Sequence, residues 1–147
     1  MASSYSSDLS LELITTGEKA GLWGTITNTN LQILQQAASG YVAVPMTSGS
    51  DVTLSLADGS DTANGKNLYL KLTGTMTASI SLIIPAATTG GTARRTYIIE
   101  DATDRTTANN YTINIKTAGS YTPVPLPEGA NIIVRSDGTD TVLAFIK

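Results

Sequence analysis

Apolar and polar residues alternate along most of this chain, segment after segment, and turn residues close each segment. That is the period-2 mark of strands with one face in water. Leu9, Leu11 and Leu13 alternate with Ser10 and Glu12. Tyr41 to Val44 runs into Pro45, and Val52, Leu54 and Leu56 alternate with Thr53 and Ser55. Leu68, Leu70 and Leu72 form a third run beyond the loop Ala57 to Lys66 (ADGSDTANGK), and Met76, Ala78, Ile80, Leu82 and Ile84 share one face of a longer strand stopped by Pro85. In the stretch RRTYIIE, Thr96, Ile98 and Glu100 oppose Tyr97 and Ile99, so either set can face inward. After a turn region from Asp101 to Asn110, Tyr111, Ile113 and Ile115 give the clearest alternation, and the prolines from Tyr121 to Pro127 mark an edge that donates to one side only. A hairpin is predicted last, Asn131 to Ser136 and Thr141 to Ile146, across the turn Asp137-Gly138-Thr139-Asp140. Its register is open: Ile132 and Val134 face Leu143 and Phe145, or else Val142, Ala144 and Ile146.

The period changes in one place, between Thr16 and Tyr41. Leu31, Leu34 and Ala38 recur at helical spacing with Ile33 and Ala37 beside them, which predicts a short amphipathic helix near residues 26–39. The Asn/Thr-rich step Thr25 to Asn30 supplies capping residue types, and Gly40 the stop. Trp23, the sole tryptophan, lies between Gly21 and Gly24. It reads as a plug holding the helix on the sheet or as an anchor at a subunit interface, where Trp is enriched.

These elements predict a mostly β protein: an antiparallel β-sandwich or barrel-like domain with one short N-terminal α-helix. Residues 1–15 form an N-terminal arm and first strand, and residues 16–147 a single β-rich domain. The Ser-rich start around Tyr5 is either frayed or an attachment arm ordered by a partner. No internal repeat stands out.

Composition narrows the function classes. With 41% hydrophobic but only 14% charged residues, the surface is built from Thr, Ser, Asn and Gly. A formal charge of −3 removes the electrostatic basis for nucleic-acid or anionic-membrane affinity. Arg94-Arg95 is the one adjacent basic pair, too small for a phosphate stripe and read as a solvated strand start. Cys and His are both absent, which excludes Ser/His and Cys/His relays and the usual zinc sites. No window has the length and apolarity of a membrane span, and the start lacks the basic and apolar regions of a signal peptide, so a soluble protein made in a cytoplasm is expected.

Three Asp-x-x-Asp pairs sit in turns: Asp58 with Asp61, Asp101 with Asp104, and Asp137 with Asp140. They lack the dense carboxylates of a calcium loop and read as turn caps. Gly90-Gly91 lacks the Lys and helix of a phosphate loop. A glycosidase needs only two carboxylates, but nothing marks such a pair. The six tyrosines and Trp23 are able to stack on sugars, although strand packing accounts for most of the tyrosines. The sequence therefore predicts no catalytic residue, no metal and no cofactor. The residues singled out as interface or packing anchors are Trp23, Leu31, Leu34 and Tyr5.

The opening SSYSSDLSLELITTGEKAGLWGTITNTNLQIL resembles a segment of virion proteins from marine and cyanobacterial bacteriophages of the tail-fibre-like or decoration type. Leu11, Leu13, Gly17, Glu18, Ala20, Gly21, Trp23, Gly24, Thr27, Asn28, Asn30 and Leu31 carry the likeness. Pro127-Glu128-Gly129 and the SDGTD turn extend it through the β body. The resemblance implies a non-enzymatic structural protein on the particle exterior, located in the virion and assembled from host cytoplasm. Its partners are then other virion proteins, with itself as a homo-oligomer, a trimer among the options. No shaft follows Lys147, which favours a capsid decoration protein or an appendage adaptor over a long tail fibre. The alternatives are an adhesin module for host surface glycans and, third, a small carboxylate hydrolase.

Overall fold

The computed structural model describes residues 3–105, 110–120 and 122–146, and the side chains of residues 142–144 and 146 lie outside that description. Tyr121, expected at the proline edge, lies outside it too, as does part of the turn expected from Asp101 to Asn110.

The chain opens with two short strands, β1 (Ser4–Tyr5) and β2 (Glu12–Leu13), paired antiparallel. Helix α1 (Trp23–Ser39) follows. After it the path alternates between two sheets. β3 (Tyr41–Pro45) lies in the first and β4 (Val52–Thr53) in the second; β5 (Tyr69–Thr75) returns to the first and β6 (Ile80–Ile84) to the second. A small ribbon, β7 (Ala87–Thr88) with β8 (Gly91–Thr92), precedes β9 (Arg95–Asp104) in the first sheet and β10 (Ile113–Thr117) in the second. Along this path β3, β5 and β9 pair in parallel, and so do β4, β6 and β10. The result is three turns of a two-sided coil.

Tyr41 sits beside Tyr69 and Tyr69 beside Ile98, steps of 28 and 29 residues. In the second sheet Val52 sits beside Leu82 and Ile80 beside Ile113, steps of 30 and 33. A repeat of path is thus present without a repeat of sequence. The last three strands pair antiparallel with their neighbours. β11 (Val124–Leu126) runs antiparallel to β10, while β12 (Asn131–Ser136) joins β9 and β13 (Thr141–Ile146) joins β12, both antiparallel.

Two parts of the expected fold are therefore corrected. Strand pairing is mixed, not antiparallel throughout, and the sheets, ordered β13-β12-β9-β5-β3 and β11-β10-β6-β4, stay open where a barrel would close. The inward residues of both sheets build one core, with Leu70, Leu72, Tyr97 and Ile99 on one side and Leu82, Ile84, Ile113 and Ile115 on the other. Each such side chain contributes roughly 1.5–3 kcal/mol by leaving water.

The ambiguous strand is settled by this core. Arg95, Tyr97, Ile99 and Asp101 point inward and Thr96 is exposed. The strand continues through Asp104, into the predicted turn, because Asp101 has a buried partner: its Oδ2 takes Arg105 Nη2 at 2.7 Å and the Gly129 amide at 2.9 Å. The last hairpin combines both candidate registers through a bulge, since Ile132 pairs with Ile146 whereas Val134 pairs with Leu143.

The N-terminal arm is neither frayed nor waiting for a partner; the chain's own loops hold it. Thr88 Oγ1 donates to the Ser7 carbonyl at 2.9 Å, the Gly59 amide to the Ser10 carbonyl at 2.9 Å, and the Arg94 amide to Asp8 Oδ1 at 3.2 Å. Tyr5, half-buried, lays its ring on Gly59, where a Cβ would come within 3.0 Å of it.

Candidate functional site

Helix α1 starts at Trp23, three residues earlier than its Asn/Thr step predicts, and its N-cap Leu22 makes no side-chain capping bond. A tight turn delivers the chain there instead, with Lys19 and Gly21 at φ +58° and +82° and the Leu22 amide on the Lys19 carbonyl. Asn30, predicted as a cap, is a clamp: its Oδ1 accepts the Glu12 amide at 3.0 Å and its Nδ2 donates to the Glu12 carbonyl at 2.9 Å. Gly40 does end the helix, but at φ −67°. Glycine is required there by crowding, since a Cβ would lie 2.4 Å from Asn67 Oδ1.

The single apolar stripe read from sequence divides into two. Ile33 is fully buried and Ile26 and Ala37 are half-buried, so these face the body. Trp23, Leu31 and Leu34 are 64%, 57% and 41% exposed. At ~100° per residue, Trp23, Thr27, Leu31, Leu34 and Ala38 fall in a second stripe, roughly 120° around the helix from the first. The reading of Trp23 as an internal plug, and of Leu31 and Leu34 as packing anchors within the domain, is thereby corrected: Ile33 fills that role. Tyr5 belongs to the arm contacts, half-buried against Gly59. The helix carries no charged residue at all.

A second exposed feature lies on the outer face of β3 and β5. Tyr41, 59% exposed, stacks on Tyr69 with ring centroids 5.6 Å apart at 27°. Tyr69 donates to Glu100 Oε2 at 2.6 Å, and Lys71 pairs with Glu100 Oε1 at 3.2 Å. These two bonds hold the Glu100 carboxyl below its ordinary pKa, and the Tyr69 hydroxyl is raised in return.

The third feature is concave. The 3-10 turn Asn64–Lys66 buries Gly65 and Lys66 together. Tyr97 donates to the Gly65 carbonyl at 2.7 Å and Arg95 Nη1 to the Lys66 carbonyl at 3.4 Å, so β9 grips this turn. A cavity of about 160 Å³ opens beside it, walled by Lys66, Arg94, Arg95, Asn67, Leu9 and Leu68. Lys66 is fully buried and Arg95 is 8% exposed. Lys66 Nζ, Arg95 Nε and Arg95 Nη2 have no hydrogen-bond partner among the described residues. Burial lowers the Lys66 ammonium to about 8, helped by Arg95 and opposed by Asp58 and Asp61. Burial lowers Arg95 as well.

Arg95 is thus no solvated strand start, although its neighbour Arg94 is exposed. Its parity with Tyr97 and Ile99 is the signal that marks it as inward. For Lys66 no local signal exists, because the ADGSDTANGK stretch reads as a wet loop.

Of the acidic pairs, Asp137 caps its turn by accepting the Thr139 and Asp140 amides at 2.8 and 2.9 Å. Asp58 Oδ2 accepts the Thr89 amide at 3.1 Å. Among the described residues no group of three or more acidic side chains is placed to hold a metal, and no helix is long and apolar enough to cross a membrane. No family model, curated protein or solved structure matches the chain.

Proposed function

We propose that this protein is a non-enzymatic structural component of a bacteriophage particle, a capsid decoration or tail appendage module on the exterior. Its sandwich-like two-sheet body serves as scaffold, and the outer face of α1 joins it to identical subunits and to other virion proteins. The resemblance of the opening segment supports the particle assignment. The single observation that carries the assembly role is the outer stripe of α1.

A helix already docked through Ile33 displays Trp23, Leu31 and Leu34 to solvent. Thr27, Leu31, Leu34 and Ala38 follow the 4-3-4 spacing of a coiled-coil seam. With no charge on the helix, like surfaces meet without repulsion, which suits self-association. The absence of His and Cys from the chain supports the non-enzymatic part of the reading.

Light scattering during size-exclusion chromatography tests this. Wild-type protein is expected to elute as a defined oligomer, and the Leu31→Glu/Leu34→Glu variant as a monomer with little change in melting. A monomeric wild type, or a variant that keeps the wild-type mass, overturns the helix as the subunit interface.

A second reading, an adhesin module for host glycans, is favoured by the exposed Tyr41–Tyr69 stack beside Glu100. Glycan-array binding that Tyr41→Ala removes while the oligomer persists would select it.

A further inference from the structure

We propose that the cavity between the 3-10 turn Asn64–Lys66 and the start of β9 is a binding site for a small oxyanion, a sulfate, phosphate or carboxylate group. Three cationic residues, Lys66, Arg94 and Arg95, line it and no acidic residue does. Two of the three are buried with no carboxylate bonded to them among the described residues, an arrangement that costs a fold stability.

The nearby carboxylates do not fill the need. Asp8 forms an ion pair with Arg94, at 3.9 Å, and acts on Arg95 only through space; Asp58 Oδ2 takes the Thr89 amide while its Oδ1 is buried without a partner, and Asp58 and Asp61 act on Lys66 through space without forming an ion pair.

The guanidinium geometry selects the ligand class. Arg95 Nη1 is engaged by the Lys66 carbonyl, which leaves Nε and Nη2 unpartnered. Those two nitrogens form one edge of the guanidinium, the fork whose parallel N–H bonds match two oxygens of a carboxylate, sulfate or phosphate. Lys66 Nζ then supplies a third donor, as a point charge.

Size agrees. A water occupies about 30 Å³ of liquid, so the cavity has room for a tetrahedral oxyanion with a short aliphatic stem. Leu9 and Leu68 provide apolar wall for that stem.

The test uses the whole chain. Sodium sulfate, sodium phosphate and sodium acetate are titrated against sodium chloride at equal ionic strength, with melting temperature and the Arg Nε–Hε NMR signals as readouts. Saturable stabilisation by at least one oxyanion is expected, with a shift of the Arg95 Nε–Hε signal at the same half-saturation. Lys66→Met is expected to fold and to lose at least tenfold in affinity. Arg94→Gln, on the exposed rim, is expected to lose severalfold.

A rise in melting temperature that is linear in salt and equal in wild type and Lys66→Met overturns the site, since sulfate and phosphate stabilise many proteins by exclusion. An unshifted Arg95 signal overturns it independently of any variant. Glucose 6-sulfate separates the sources: tighter binding than inorganic sulfate supports a substituent on a sugar, and weaker binding supports the free anion.

Discussion

Lys66 shows how one side chain ties stability to pH. Its folded-state pKa of about 8 lies below its ordinary 10.5. Between those values the unfolded chain holds a proton that the folded chain has lost, so stability from this group rises with pH across about 8 to 10.5 and is lowest below 8. The groups that act on it are Arg95, which lowers it further, and Asp58 and Asp61, which oppose that. Replacing buried ionic groups by apolar side chains of similar volume is often neutral or stabilising, by up to about 4 kcal/mol for a whole ion pair, and Lys66 leaves no ion-paired partner behind. Lys66→Met is therefore expected to gain about 1–3 kcal/mol in urea unfolding at pH 7 and to lose the alkaline rise. A variant less stable than wild type at pH 7 would show that Lys66 has a partner that its surroundings do not reveal.

At the scale of elements, the arm and the helix are where sequence patterns and structure part company. Leu9, Leu11 and Leu13 alternate like a strand, yet only Glu12–Leu13 pair with another strand, because Ser10 sits at φ +56° and turns the chain. The arm is kept in place by loops 49 to 86 residues away, contacts that no local window contains. Gly90 is the test of this lacing: a Cβ there would lie 2.6–2.8 Å from the backbone of Tyr5 and Ser6. Gly90→Val is expected to release the arm and leave the sheets folded. Hydrogen exchange should then show loss of protection confined to about residues 5–13 and their loop partners. Unchanged protection there would mean that the ribbon shifts to make room.

For α1, existence and C-terminal end were legible from Leu31, Ile33, Leu34 and Gly40. Which apolar residues face inward was not. Two stripes on one helix merge into a broad band at helical spacing, and only the docked body separates them.

Over the whole molecule, the alternating segments announced a β protein with one wet face per sheet, and the described core follows that parity from Val44 to Val134. Parallel pairing stayed hidden for a physical reason. Parallel strands in most folds are covered on both faces and read as continuous apolar runs. In a two-sided coil each parallel strand has one core face and one solvent face, so Leu70 and Leu72 alternate with Lys71 as in any antiparallel strand.

Trp23 offers a molecular-scale readout of assembly. In the Leu31→Glu/Leu34→Glu subunit its emission is expected at the wavelength of water-exposed indole, and in the wild-type oligomer at a shorter wavelength. Identical spectra would place Trp23 outside the contact. Because the side chain is 64% exposed, Trp23→Ala is expected to change subunit stability by less than about 1 kcal/mol.

The lacing of the arm also sets an order in time. Residues 3–13 are made before the residues that clasp them, Gly59, Thr88 and Arg94, so the arm has its full set of contacts only once more than half of these 147 residues have been synthesised. Each turn of the coil closes over about 30 residues and is able to form behind the one before it. Arm docking is then later than the first turns of the coil, and in a nascent subunit residues 3–13 wait undocked until the β7–β8 ribbon has been made.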